Sequence, residues 1–96
     1  FSHAAYAAVK GSVISMTRFL SAYWGDKNIR VNCISPGGVQ HEGENETFLE
    51  KYAQKVPLGR KAKAHEISAS VVFLASDEAS YVTGQNIIID GGWTAW

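Results

Sequence analysis

Tyr6 and Lys10 stand four residues apart in a stretch, Ala4 to Trp24, that has no proline and a single glycine, Gly11. If that stretch is helical, both side chains project from one face. A phenol titrates near ~10 and is ordinarily a poor base at neutral pH. An ammonium about 6 Å away favours the phenolate by roughly 2.8 kcal/mol at an effective dielectric of ~20. Such a pair can exchange a proton with an alcohol or carbonyl oxygen. The spacing also arises by chance, so alone it is a weak signal. A second feature is Asn32-Cys33-Ile34-Ser35-Pro36-Gly37-Gly38-Val39, which reads as the end of a strand. Paired glycines there let backbone approach a flat ring, although a Pro-Gly strand terminator is common. The third feature is Thr83-Gly84-Gln85 through Asp90-Gly91-Gly92, by itself two turns around an apolar strand.

These residues need elements to hold them. Val9, Val13, Met16, Leu20 and Tyr23 mark one apolar face of a first helix over Ala4 to Trp24, expected to pack on a sheet. Ala5, Ala8, Ser12, Ser15, Phe19 and Ala22 form a second stripe of mostly small residues, suited to a neighbouring helix. Gly25 is expected to stop the helix as its C′ residue. Alternation predicts a strand over Ile29 to Ser35. Asn45 is expected to cap a short helix from Glu46 to about Lys55. A further helix over His65 to Ala75 and a strand over Asn86 to Ile89 complete the order. Helices alternating with strands too apolar to be half-exposed predict an α/β fold with a parallel sheet.

Composition narrows the function classes. Of 96 residues, 46% are hydrophobic and 19% charged, which fits a globular chain. Nine basic residues balance nine acidic ones, so the excess of positive charge that a nucleic-acid surface needs is missing. The longest apolar runs fall well short of a bilayer span. Cys33, the single cysteine, has no disulfide partner within the chain and no companion at metal-ligand spacing, so no metal is expected. The expected setting is cytoplasmic. Phe1 heads the sequence without an initiator Met, and the chain reads as a portion of something longer.

Taken together, the motifs resemble the C-terminal portion of the short-chain dehydrogenase/reductase family. The resemblance runs from about His3 to Trp93. It is carried by Tyr6-Ala7-Ala8-Val9-Lys10, by Ile29-Arg30-Val31-Asn32 leading to Pro36-Gly37, by Phe73-Leu74-Ala75-Ser76, by Thr83-Gly84-Gln85 and by Asp90-Gly91-Gly92. It implies a doubly wound parallel sheet of Rossmann-like type, with two strands and about three helices present. Residues 1–96 would be the C-terminal portion of a single dinucleotide-binding oxidoreductase domain.

The implied reaction is reversible hydride transfer between NAD or NADP and an alcohol or ketone carbon. Tyr6 would be the acid/base, and Lys10 would hold the nicotinamide ribose and favour the Tyr6 phenolate. Pro36 and Gly37 would line the nicotinamide pocket, and the Val39 backbone would bind the carboxamide. Tyr6 and Lys10 thus count among the cofactor-binding residues as well as the catalytic ones.

The family's Gly-rich phosphate loop, cofactor-selecting residue, active-site Asn and catalytic Ser all precede the Tyr, outside these 96 residues. A full doubly wound sheet takes about 150 residues or more, so this stretch alone is expected to be inactive. His41 stands where the family commonly has Thr; it is either a substituted cofactor contact or, the favoured reading, an exposed loop residue. Val39 to Lys63 corresponds to the family's substrate lid, with Phe48 and Tyr52 on one face of the small helix, available to dock over a substrate. The acidic run Glu42, Glu44, Glu46 and Glu50 and the basic run Lys51, Lys55, Arg60, Lys61 and Lys63 are expected to be a solvated surface.

The family resemblance also implies a homodimer or homotetramer. The tail Gly92 to Trp96 is similar to that of members acting in surface-sugar or flagellin-modification pathways, implying a sugar-derived alcohol or carbonyl substrate. The alternative is a non-catalytic assembly module of the same fold, in which these helices and the last strand only oligomerise.

Overall fold

The computed structural model describes residues 2–96, and Phe1 lies outside them. Helix α1 (Ser2–Trp24) is followed by strand β1 (Cys33–Pro36), helices α2 (Glu46–Ala53) and α3 (Ala64–Ala75), and strand β2 (Asn86–Ile89). The two strands form one sheet. Cys33 N–H donates to the Gln85 carbonyl at 2.9 Å and Gly37 N–H to the Ile89 carbonyl at 2.8 Å. The partners advance together along both strands, so the pair is parallel, as the alternation of elements predicts.

Two boundaries differ from expectation. Gly25 does not act as the left-handed stop of α1. Gly25–Lys27 tighten into a 3-10 turn, and Asn28 takes φ 58°, its N–H donating to the Gly25 carbonyl at 3.0 Å. Asparagine is among the few side chains that tolerate this conformation. The first strand begins at Cys33 rather than Ile29, because side chains replace the ladder just before it. Val31 N–H donates to Thr83 Oγ1 at 3.1 Å, and Gln85 N–H donates to Asn32 Oδ1 at 3.1 Å.

The chain folds as two compact units, Phe1–Cys33 with Leu74–Ile87, and Ile34–Phe73 with Ile88–Trp96. In the first, α1 turns Thr17 inward, with Ile14, Leu20, Ser21 and Trp24 partly covered beside it. Arg30 spans this unit, donating to the carbonyls of Val82 at 3.3 Å and Ser76 at 3.2 Å. Ala79 is fully buried. Of the apolar stripe, Val9, Val13, Met16 and Tyr23 are 62%, 48%, 59% and 63% exposed, and Leu20 is partly covered.

The second unit is knitted around Val56, 3% exposed. Leu58 N–H donates to the Gly91 carbonyl at 3.1 Å, and Val39 forms a parallel bridge with Ala62. Asn45 caps α2 as expected, its Oδ1 accepting the Phe48 N–H at 3.2 Å. Glu66 closes the start of α3 by accepting the Lys63 N–H at 2.8 Å, one half of a capping box.

Candidate functional site

Tyr6 and Lys10 lie in the first unit on one face of α1, as their spacing predicts. The Tyr6 side chain is 65% exposed, and Lys10 Nζ lies over its ring, 5.4 Å from the centroid. This positive charge on the ring face needs nothing beyond the helix itself, since residues four apart are neighbours on any α-helix. Hydroxyl and ammonium both stand open to an incoming molecule.

Pro36, Gly37 and Val39 lie in the second unit, at and beyond the C-terminal end of β1. Here the steric need for glycine has a different cause from the one the sequence suggests. A Cβ on Gly37 would stand 2.9 Å from Asp90 Cα, and one on Gly38 would stand 2.6 Å from Tyr52 Oη. Both glycines admit other parts of this chain. The backbone that follows is directed for binding nonetheless. Ala62 N–H donates to the Gly38 carbonyl at 2.9 Å, and Gln40 N–H donates to the Ala62 carbonyl at 2.8 Å. Peptide groups alternate sides along an extended segment, so the N–H and carbonyl of Val39 point away from Ala62. One donor and one acceptor side by side match the carbonyl and amino group of a carboxamide. This stretch therefore fits a nicotinamide on the chemistry of its donor set.

Tyr52 on α2 is engaged by its own chain, while Phe48 stays 53% exposed. Tyr52 Oη accepts the Gly38 N–H at 2.7 Å, and its ring meets Trp93 with centroids 5.3 Å apart. Lys61 Nζ lies 4.7 Å from the Phe48 ring centroid and 5.3 Å from that of Tyr52, and pairs with Glu44. Phe48 and Tyr52 thus receive an ammonium from their own chain where a substrate was expected to dock. The expectation of a uniformly solvated charge surface fails at the same place, because the Glu44 and Lys61 side chains are only 6% and 9% exposed. Sixteen intervening positions hide the pair from any helical or strand periodicity. Trp93 packs within the chain, whereas Trp96 is 77% exposed.

Local electrostatics follow from these contacts. The Lys61 ammonium and the His41 N–H hold the Glu44 carboxyl below its ordinary 4.5. His41 itself is an exposed loop residue, its side chain 74% accessible. Arg60 grips Glu66 with two bonds of 2.7 and 2.8 Å, which with the Lys63 N–H lower the Glu66 carboxyl to about 2 and raise the guanidinium. Asp90 is lowered by the Thr94 hydroxyl at 2.7 Å and by the Gly92 N–H at 3.0 Å. These are turn-closing bonds. Cys33 is half-buried with Sγ 3.6 Å from Asn86 Oδ1. Among the described residues no group of three or more metal-ligating side chains gathers, and no helix is long and apolar enough to cross a membrane.

Comparison with known proteins gives this geometry its context. The family model described as enoyl-(acyl carrier protein) reductase matches residues 2–94. Galactitol 2-dehydrogenase (L-tagatose-forming) of Cereibacter sphaeroides is 42% identical over 96 residues, covering 95% of this chain and 38% of that protein. The structure of 4-hydroxyisoleucine dehydrogenase complexed with NADH superposes with a TM-score of 0.88 at 36% identity, over 97% of this chain and 39% of that one. A short-chain dehydrogenase from Leptospira borgpetersenii with bound NAD+ gives a TM-score of 0.85 at 44% identity, over 93% of this chain and 35% of that one. The chain thus spans under two fifths of these relatives' lengths. Its two parallel strands and three helices are a portion of their doubly wound, Rossmann-like α/β fold. By sequence and by structure, the chain belongs to the short-chain dehydrogenase/reductase family.

Proposed function

We propose that these residues are the C-terminal portion of a single dinucleotide-binding domain that interconverts an alcohol and a ketone. The observation that carries the reading is the exposed Tyr6 hydroxyl with the Lys10 ammonium 5.4 Å from its ring centroid. NAD or NADP, when bound, supplies the hydride acceptor or donor; the NAD+ and NADH held by the two solved relatives support this choice. Tyr6 takes the hydroxyl proton while the carbinol carbon loses hydride, and returns it in the reverse direction. The Lys10 ammonium, beside the Tyr6 ring, would hold the nicotinamide ribose. Pro36 and Gly37 line the nicotinamide side, and the Val39 N–H and carbonyl receive the carboxamide.

The substrate class is a small alcohol or ketone, sugar-derived, a choice that the likeness to a galactitol dehydrogenase supports. The enzyme works in the cytoplasm as a homodimer or homotetramer, with the small-residue stripe Ala5, Ala8, Ser12, Ser15, Phe19 and Ala22 as assembly surface. The test is hydride transfer by the whole enzyme with NAD+ or NADP+ and a panel of polyols. Tyr6→Phe should cut turnover about a hundredfold or more. Unchanged turnover in that variant would remove Tyr6 from the chemistry and leave the non-catalytic assembly reading.

A further inference from the structure

The second unit contains a contact that the reaction as described does not use. Tyr52 Oη accepts the N–H of Gly38, one residue before the backbone assigned to the carboxamide. The Gly38 carbonyl and the Gln40 N–H are both tied to Ala62, so the peptide groups on either side of Val39 are fixed from one side. The Tyr52 ring is itself held, by Trp93 on one contact and by Lys61 on another, and Lys61 is held by Glu44. Gly38 and Tyr52 are a matched pair, because any Cβ at position 38 would enter the space of the hydroxyl.

We propose that Tyr52 is a positioning residue whose hydroxyl, by accepting the Gly38 N–H, fixes the Gly37–Gly38 peptide and so the path by which the chain enters the Val39 backbone that receives the nicotinamide carboxamide. The inference rests on the cofactor reading above. Its physical basis is preorganisation: a donor and acceptor already aimed at their partner lose less freedom when it binds. Helix α2 thereby acts on the cofactor.

The test uses Tyr52→Phe in the whole enzyme, which keeps the ring against Trp93 and removes only the oxygen. Calorimetry with NAD+ (or NADP+, whichever the wild type binds) should give about fivefold weaker binding, the loss of one hydrogen bond's effect. ADP-ribose, or its 2′-phosphate where NADP+ is the ligand, lacks the nicotinamide and should bind unchanged. The dinucleotide KM should rise by a similar factor, with kcat at saturation within about twofold. Amide exchange at Gly38 should quicken in the nucleotide-free protein. Gly38→Ala, whose Cβ would stand 2.6 Å from the Tyr52 hydroxyl and push it off the N–H while residue 52 stays tyrosine, should give the same signature and covers the case in which Tyr52→Phe misfolds. Equal dinucleotide affinity in variant and wild type, or equal loss for ADP-ribose, would overturn the proposal alone. A wild type that binds neither NAD+ nor NADP+ would overturn the cofactor reading and this inference with it.

Discussion

Helix α1 and the segment from Pro36 to Lys63 carry the two halves of the proposed chemistry, and they are built in opposite ways. Helix α1 obtains its Tyr6–Lys10 geometry from one repeating dihedral pair, and around those residues it is open: Tyr6 and Val9 are 65% and 62% exposed. The Pro36–Lys63 segment contains eight residues of α-helix, and owes its shape to particular contacts between distant positions, such as Tyr52 with Gly38 and Lys61 with Glu44. A reactive pair set by local periodicity tolerates an uncovered setting. A backbone that must aim one donor and one acceptor needs several independent ties, because extended chain has no internal ladder to hold it.

The comparison breaks most sharply at Lys10. Lys10→Ala in the whole enzyme should lower turnover by about a hundredfold, yet leave the thermal midpoint almost unmoved, as exposed substitutions change stability by only about 0.5 kcal/mol. A large loss of stability would mean that α1 is not locally determined. In the second unit the order of effects reverses. Gly91 has φ 65°, and its Cβ would stand 2.8 Å from Val56 Cγ1. Gly91→Val should therefore destabilise by about 3 kcal/mol through strain and overpacking together. Denaturant unfolding measures this, and a change below about 1 kcal/mol would contradict the contact.

Arg30 sharpens the contrast within the first unit, since it supplies a long-range tie of the kind that dominates the second. Arg30→Ala removes two charge-assisted bonds to the carbonyls of Val82 and Ser76 and should cost about 2 kcal/mol. Unchanged stability would place those carbonyls in water.

The smallest effect concerns acid. Folding holds the Glu66 carboxyl at about 2, below its ordinary 4.5, so folding favours the ionised form. Its stabilisation is complete above about 4.5 and fades as the pH falls toward about 2. Thermal midpoints across that window should decline with acid, and Glu66→Gln should flatten part of the decline. The remainder belongs to Glu44 and Asp90, which are also held low. An identical slope in the variant would mean that the Arg60–Glu66 grip does not persist in solution.

Much of this was legible in the residues. The Asn45 cap, the span Asn86–Ile89 and the parallel α/β order follow from capping chemistry, alternation and element sequence, all of which are local or nearly so. The early start assigned to β1 failed because Thr83 and Asn32 side chains take over the backbone bonds, a substitution between positions some fifty residues apart. Which side chains of α1 are covered was not legible, because apolarity marks what a helix can bury and not what it meets.

Residue type and spacing alone determined the Tyr6–Lys10 pair, the Pro-Gly-Gly strand end and the family to which they belong. A helix repeats every 3.6 residues wherever it occurs, so such information survives in one dimension. Tertiary structure alone decided that the Lys61 ammonium lies against the Phe48 and Tyr52 rings, that Glu44 leaves the solvated surface, and that the Tyr52 hydroxyl ends on Gly38. Those contacts join elements whose separation along the chain has no period, and only the folded path brings them within reach.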